Sequence, residues 1–418
     1  MHPFIRFSRL ALVALSIIFL SCDDEGANPS APTVQLLKLT VDAGYTTKYL
    51  DNWVMVHDKN GALLGVKKFE SGQVIELETQ EAVPDDVISV TLFSVDSVAL
   101  SFDRGTIDLS TYADLPRGQE WKLAQRSPGE LKDYGRFTFD MDGVYDKPFA
   151  YAVSCNLLSF AGLDYSINGG ILRGSSGVYA ETMDFMVSME REPGHPQYLF
   201  LKNVVGGGNY KLSVNDLQDF DHTLDVSFPA TNDMFCDVRT YDPSTGKTGY
   251  ELYLDLIGQP VTRDHLRLGY LDQFQNYYIG MYVVVSGKEY SYSSVGAMPK
   301  AINFPFNIDY AIQNTGINDF SLKANPKYSY RSSFYQMKDP PNPMILVNWF
   351  INSPGVGFKF MTSFPKEITA TYPFLDVNSF EYKYTNFVTG MTYSDFIDQT
   401  FKESGPAEYE QYAVRDIN

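Results

Sequence analysis

Acidic side chains are the first candidates for chemistry, because two carboxylates flanking a glycosidic bond can hydrolyse it and three or more can hold a divalent cation. Glu181, Asp184 and Glu190 lie in one stretch. Two acids working from one strand must be an even number of residues apart, and Glu181 and Asp184 fall on opposite faces. Asp140-x-Asp142-Gly143 and Asp216-x-x-Asp219-x-Asp221-His222 gather oxygen ligands. The first lacks the third early acid and the distant Glu of a calcium loop, and the second reads as an acidic turn, where Asp bonds its own backbone. His57, His195, His222 and His265 are scattered, with no pair at metalloprotease spacing. Thr245-Gly246-Lys247-Thr248 has no glycine-rich loop before it to cradle a phosphate. These patterns assign no catalytic residue, no metal and no cofactor.

Aromatic side chains carry the remaining signal. Tyr290 and Tyr292 are two apart and share a strand face, as do Tyr328 and Tyr330, and Tyr382 and Tyr384. If exposed, such rings stack on sugars or anchor a protein partner; if buried, they are core. Tyr290, Tyr292, Tyr328, Tyr330 and Trp349 are the candidate ligand-binding residues on this reading.

The elements that must position them are strands. The chain has 418 residues with 29 Tyr and 29 Phe, punctuated by 31 Gly and 22 Pro, a balance that favours sheet over helix. The expected fold is all-β and multi-domain, of β-sandwich architecture with at most a few short helices. Residues 33–127 read as an immunoglobulin-like or prealbumin-like sandwich of short alternating strands, with a hairpin signal at Asn60-Gly61. The turn-rich stretch from Leu115 to Gly129 marks a boundary. A β-rich domain follows over 128–245, where Gly206-Gly207-Gly208 is too flexible for a strand and predicts a hairpin loop. Residues 246–418 form the most aromatic region, with a hairpin around Ser286-Gly287-Lys288. Thr392 and Asp395 have capping-box spacing, which predicts a helix over about 393–402.

Charge and cysteines narrow the setting. A formal net charge of -18 excludes a phosphate-neutralising nucleic-acid binder. Besides Cys22, only Cys155 and Cys236 are present. They form a disulfide or stand as two separate buried thiols; neither lies in a metal-binding spacing.

The first residues give an address. Arg6 and Arg9 precede an apolar run from Leu10 to Leu20, about half the roughly 20 residues that span a bilayer, so 1–21 reads as a cleavable signal. Its removal takes away two Arg and no acid, leaving -20. Phe19-Leu20-Ser21-Cys22 resembles the lipobox of bacterial lipoproteins, in a form similar to that of the Bacteroidota. The resemblance implies a lipidated Cys22 as the first mature residue and an outer-membrane anchor. Asp23, Asp24 and Glu25 open an acidic tether over 22–32 and resemble the surface-export signal of such lipoproteins, which implies a protein facing the cell exterior. The alternative is a solvated linker with no export role.

The function expected is a lipid-anchored, non-catalytic binding or interaction module for a glycan or an outer-membrane protein partner. It resembles the accessory lipoproteins of Bacteroidota nutrient-uptake systems. Two other readings stay open: a glycan-active hydrolase with carboxylates from distant strands, and a structural or adhesive envelope subunit.

Overall fold

The computed structural model describes residues 33–45, 50–80, 86–96, 105–124, 131–156, 165–255, 261–325, 327–338, 340–342, 344–402 and 408–417. Over these residues the chain is an all-β, multi-domain assembly of packed sheets with two short α-helices. Cys22, Asp23, Asp24 and Glu25 lie outside the described residues.

The amino-terminal strands are β1 (Val34–Val41), β2 (Leu50–Asp58), β3 (Leu63–Phe69), β4 (Val74–Thr79), β5 (Val87–Asp96), β6 (Gly105–Pro116) and β7 (Gln119–Leu123). β4, β1 and β7 form one sheet, which packs on the layer containing β3, β2, β5 and β6. Leu37, Leu39, Val54, Val56, Val90 and Trp121 fill the space between. Gly61 closes the β2–β3 connection at φ 82, a conformation that glycine adopts without a Cβ clash.

The middle strands are β8 (Arg136–Asp142), β9 (Ala150–Cys155), β10 (Tyr165–Asn168), β11 (Ile171–Gly177), β12 (Met183–Glu190), β13 (Pro196–Val204), β14 (Asn209–Ser213) and β15 (Gln218–Asp219). They make two four-stranded sheets, ordered β10-β11-β8-β14 and β15-β13-β12-β9, around a core of Phe137, Phe139, Tyr151, Phe185 and Val187. The triple glycine is not the loop of a hairpin. β13 and β14 belong to different sheets, and β14 runs parallel to β8, so the glycines carry the chain across the sandwich. A Cβ on Gly206 would stand 1.8 Å from the Tyr134 carbonyl oxygen, and Gly207 has φ +77. The glycines make a tight turn, with the Gly208 amide donating to the Val205 carbonyl at 3.1 Å, but it leads from one sheet to the other rather than between paired strands.

The remaining strands are β16 (His222–Thr231), β17 (Met234–Asp242), β18 (Lys247–Leu254), β19 (Arg263–Tyr270), β20 (Tyr277–Val285), β21 (Lys288–Gly296), β22 (Asp309–Asn314), β23 (Ser321–Asn325), β24 (Tyr330–Met337), β25 (Ile345–Ser353), β26 (Phe380–Thr389) and β27 (Tyr409–Asp416). The β20–β21 hairpin turns at Ser286 and Gly287, both at positive φ, as a two-residue turn matched to strand twist requires. Helix α1 is Lys366–Thr369, and α2 is Tyr393–Phe401. In α2 the Asp395 amide donates to Thr392 Oγ1 at 3.1 Å, the cap expected from their spacing.

One twelve-stranded sheet joins the two ends of the chain, in the order β18-β17-β20-β21-β27-β26-β24-β25-β6-β5-β2-β3. Its halves meet where β25 pairs in parallel with β6. α2 reinforces this union, because Phe401 stacks on Trp121 at 3.8 Å with the rings nearly parallel. One face of the large sheet is buried along its length. Met55, Phe93, Leu109, Trp349 and Ile351 form its core at one end, and Val238, Ile279, Val283, Tyr292 and Val414 at the other. The opposite face is covered by β1, β4, β7 and α2 near the amino-terminal strands and is half-exposed in the middle, which gives β24 and β20 their alternating burial.

Candidate functional site

None of the five aromatics that spacing singled out joins the half-exposed surface, although Tyr330 has the parity of that face in β24. Tyr290 and Tyr292 alternate into the core with Met281 and Val283 opposite them. Trp349 is fully buried among Val347, Ile351 and Phe364. Tyr330 is covered by α2, its ring stacked on Phe396 at 4.7 Å, and Tyr328 is half-buried against Phe387. Burial removes the first four as sugar-stacking platforms, and their rings serve the packing of the sheet. Cys155 and Cys236 are both buried, in separate cores, and no bridge joins them.

The acids are similarly engaged. Asp140 pairs with Arg173 and Lys211, which hold its carboxyl well below the usual carboxylate range. Asp184 accepts from Lys202 Nζ and the Asn203 amide, both at 2.9 Å. Asp216 caps the turn at Ser213. His222 contacts Asp272 at 2.7 Å on the surface.

The half-exposed face instead presents a row of rings that alternation places opposite the core. In β25, Val347, Trp349 and Ile351 point inward, so Asn348 and Phe350 point out. Register then aligns Ser110 of β6, Phe350 of β25, Phe334 of β24 and Tyr384 of β26 across four adjacent strands. Phe334 stacks on Phe350 at 4.7 Å and lies 5.1 Å from Tyr384. The Arg415 guanidinium covers the Tyr384 ring at 4.4 Å. Beside the rings runs a polar row: the Asn348 amide donates to Asp108 at 2.9 Å, and the Gln336 amide donates to Asn348 at 3.3 Å. A β-bulge between Phe334 and Tyr335 breaks the alternation of β26, so Tyr382 packs its ring toward Tyr335 while Tyr384 stays with Phe334.

A cavity of about 650 Å³ opens at one end of this row. Its cause is local: Ser110 puts a small side chain beside Phe350 of the neighbouring strand, and Ser94 lies between Asn52 and Asp108, so no ring fills this part of the face. Asn52, Ser94, Asp108 and Ser110 supply polar groups, and Phe69, Tyr112, Phe350 and Phe401 supply apolar wall. Phe350 gives one side of its ring to Phe334 and lines the cavity toward Ser110. Asp108 is the one carboxylate among the described lining residues. A mainly apolar pocket with a few converging polar groups is the general form of a small-ligand site.

Two buried ionic clusters lie elsewhere. Glu190 accepts from the Tyr253 hydroxyl at 2.8 Å and from the Gly194 amide at 2.7 Å, and Arg263 joins through Tyr253 at 2.8 Å. This ties β12 to β18 and β19. On β17 and β18, Arg239 reaches Asp237 at 2.7 Å and Glu251 at 3.1 Å. Burial, and then the hydrogen bond with Asp237, push the Glu251 carboxyl up to about 10. Both clusters are internally satisfied and buried, an arrangement that fixes strands against each other. No group of three or more His, Cys, Asp or Glu side chains among the described residues is placed to hold a metal ion.

The signal for the ring row was present in the alternation. Asn348 and Phe350 flank Trp349, and the aliphatic residues at 347 and 351 identify Trp349's parity as the inward one. No family model matches the chain, and no curated protein or solved structure matches it.

Proposed function

We propose that the protein is a non-catalytic carbohydrate receptor, carried on the outer face of the bacterial outer membrane by a lipid on Cys22. The observation that carries the binding role is the cavity where Phe350 offers a ring beside Asp108, Ser110, Ser94 and Asn52. A sugar ring has an apolar C–H face and an equatorial belt of hydroxyls. Phe350 suits the first, while the carboxylate, amide and hydroxyls suit the second. Binding is favoured over hydrolysis because a glycosidase needs two carboxylates across the bond, and the described lining supplies Asp108 alone. The address rests on Phe19-Leu20-Ser21-Cys22 and on Asp23, Asp24 and Glu25. More than one acyl chain gives firm anchoring, since each buried methylene contributes about 0.8 kcal/mol.

The test is a glycan array probed with the chain lacking its signal and carrying Cys22→Ser, with reducing ends assayed on every hit. Binding that is lost in Phe350→Ala and in Asp108→Ala, without release of reducing ends, is the expected result. Release of reducing ends would replace this reading with a hydrolase. Absence of binding would direct attention to a protein partner.

A further inference from the structure

The ring row does not end in bulk solvent. Its far end is a second cavity, of about 660 Å³, lined by Tyr384, Tyr382, Lys383, Arg415, Glu289 and Tyr282. Phe350 lines the first cavity and Tyr384 the second, with Phe334 packed between them. Register keeps the connection on one face: Glu289 pairs with Arg415, and Ser291 with Ala413, on the parity that also carries Asn386 and Tyr384. The two cavities are therefore the ends of one track that crosses β6, β25, β24, β26, β27 and β21. Five strand spacings of about 4.8 Å make this roughly 24 Å, the length of several sugar rings in line.

From this we infer that the ligand is an extended, uncharged oligosaccharide lying across the strands, with one end in the Phe350 cavity and the other in the Tyr384–Arg415 cavity. The inference rests on the receptor reading and adds the shape and charge of the ligand. Stacking within the row occupies the inner ring faces, so the ridge offers ring edges along which sugar C–H groups lie. Asp108, Asn348 and Gln336 follow on one flank as hydrogen-bonding groups. Ser332 and Asn386 follow on the other, both half-exposed. The charge follows from the pairing: Arg415 is held by Glu289 at 2.5 Å and Lys383 by Glu381 at 3.4 Å. Neither cation is left to meet a uronate or sulfate, and Asp108, Asp233 and Asp416 would repel an acidic chain.

The experiment is calorimetric titration of the non-lipidated chain with neutral gluco-, manno- and xylo-oligosaccharides, from disaccharide to hexasaccharide, and with an acidic uronate series of equal lengths. In the series that binds, the hexasaccharide should bind at least about tenfold more tightly than the disaccharide, a gain of about 1.4 kcal/mol. Arg415→Gln and Tyr282→Ala should bring the hexasaccharide to the affinity of the disaccharide and leave the disaccharide unchanged. Phe350→Ala should weaken both. Two variants at the far cavity guard against one failing to fold. Equal affinity for all lengths, with Phe350 still required, would overturn the extended track and leave the receptor reading standing. Preference for the uronates would overturn the neutral charge. No binding in any series would remove both.

Discussion

Trp349 and Thr111 meet across the parallel seam of the large sheet: the indole Nε1–H donates to Thr111 Oγ1 at 2.8 Å, both groups buried. Thr111 in turn shares a 2.8 Å hydrogen bond with Thr91. The seam pairs strands 238 residues apart in sequence, so this short polar chain ties β5 and β6 to β25 inside an apolar layer.

Thr111→Val should therefore destabilise the protein by about 1–3 kcal/mol, the cost of leaving a buried indole N–H without an acceptor. Trp349→Ala, which also opens a cavity, should cost about 3–5 kcal/mol. Denaturant unfolding followed by tryptophan fluorescence and by far-UV circular dichroism checks both. Unchanged midpoints would mean that the seam contributes little to holding the two ends of the chain together.

His57 makes acid stability a second test. It is buried in β2 with both ring nitrogens lacking a hydrogen-bond partner, opposite Ser89, whose hydroxyl also lacks one. Burial pulls its pKa down to about 4 from 6.5, against the opposing pull of Asp58. The folded state thus holds the neutral ring. Its contribution is complete above about pH 6.5 and is lost as pH falls through about 4, a total of about 3 kcal/mol. His57→Leu should shrink the stability difference between pH 7 and pH 4 by about that amount, measured by urea midpoints at each pH. An identical difference in both proteins would show that His57 is not the group being titrated.

Glu251 works in the opposite direction. Burial, and then Asp237, raise its carboxyl well above the usual carboxylate range, so the fold favours the neutral, protonated side chain. A raised acid stabilises fully below its unfolded pKa, near 4.5, and loses that contribution as pH climbs toward 10. Glu251→Gln keeps a neutral side chain of the same shape, with an oxygen for Arg239. It should flatten the decline of thermal stability between about pH 5 and pH 10 and raise the melting temperature at the alkaline end. An unchanged decline in the variant would mean that Glu251 is ionised in the fold.

How much of this was legible in the sequence follows from strand periodicity. The all-β class, the Ser286-Gly287 hairpin and the Thr392 cap were readable because each depends on neighbours in the chain. The ring row depends on distant strands: Phe334, Phe350 and Tyr384 become one surface only when β24, β25 and β26 pair in register. Parity could still have separated Phe350 from Trp349, since Val347 and Ile351 share Trp349's face. It could not have shown that α2 covers Tyr330 or that a bulge parts Tyr382 from Tyr384. The glycine triplet misleads for the same reason, because flexibility permits a hairpin and a sheet-to-sheet crossing alike.

The two thiols give the last prediction. Cys155 packs beside Phe185 in the core of the middle sandwich, paired with it across β9 and β12, while Cys236 packs with Val238 and Ile279 in the core under the large sheet. Burial pushes the Cys236 thiol well up, with Asp255, Asp237 and Glu190 adding to the effect, so the reactive thiolate is disfavoured. The mature non-lipidated chain with Cys22→Ser should show no thiol reactive toward a disulfide reagent while folded and two after denaturation without reductant. Its melting temperature should be the same with and without reductant. A bridge closing the loop between positions 155 and 236 would instead yield no thiols on denaturation, and its reduction would lower the melting temperature, because closing a loop of that length contributes about 4 kcal/mol. Cys155→Ala and Cys236→Ala should each destabilise by lost packing alone and to a similar degree under either redox condition, as expected of small apolar side chains in two separate cores.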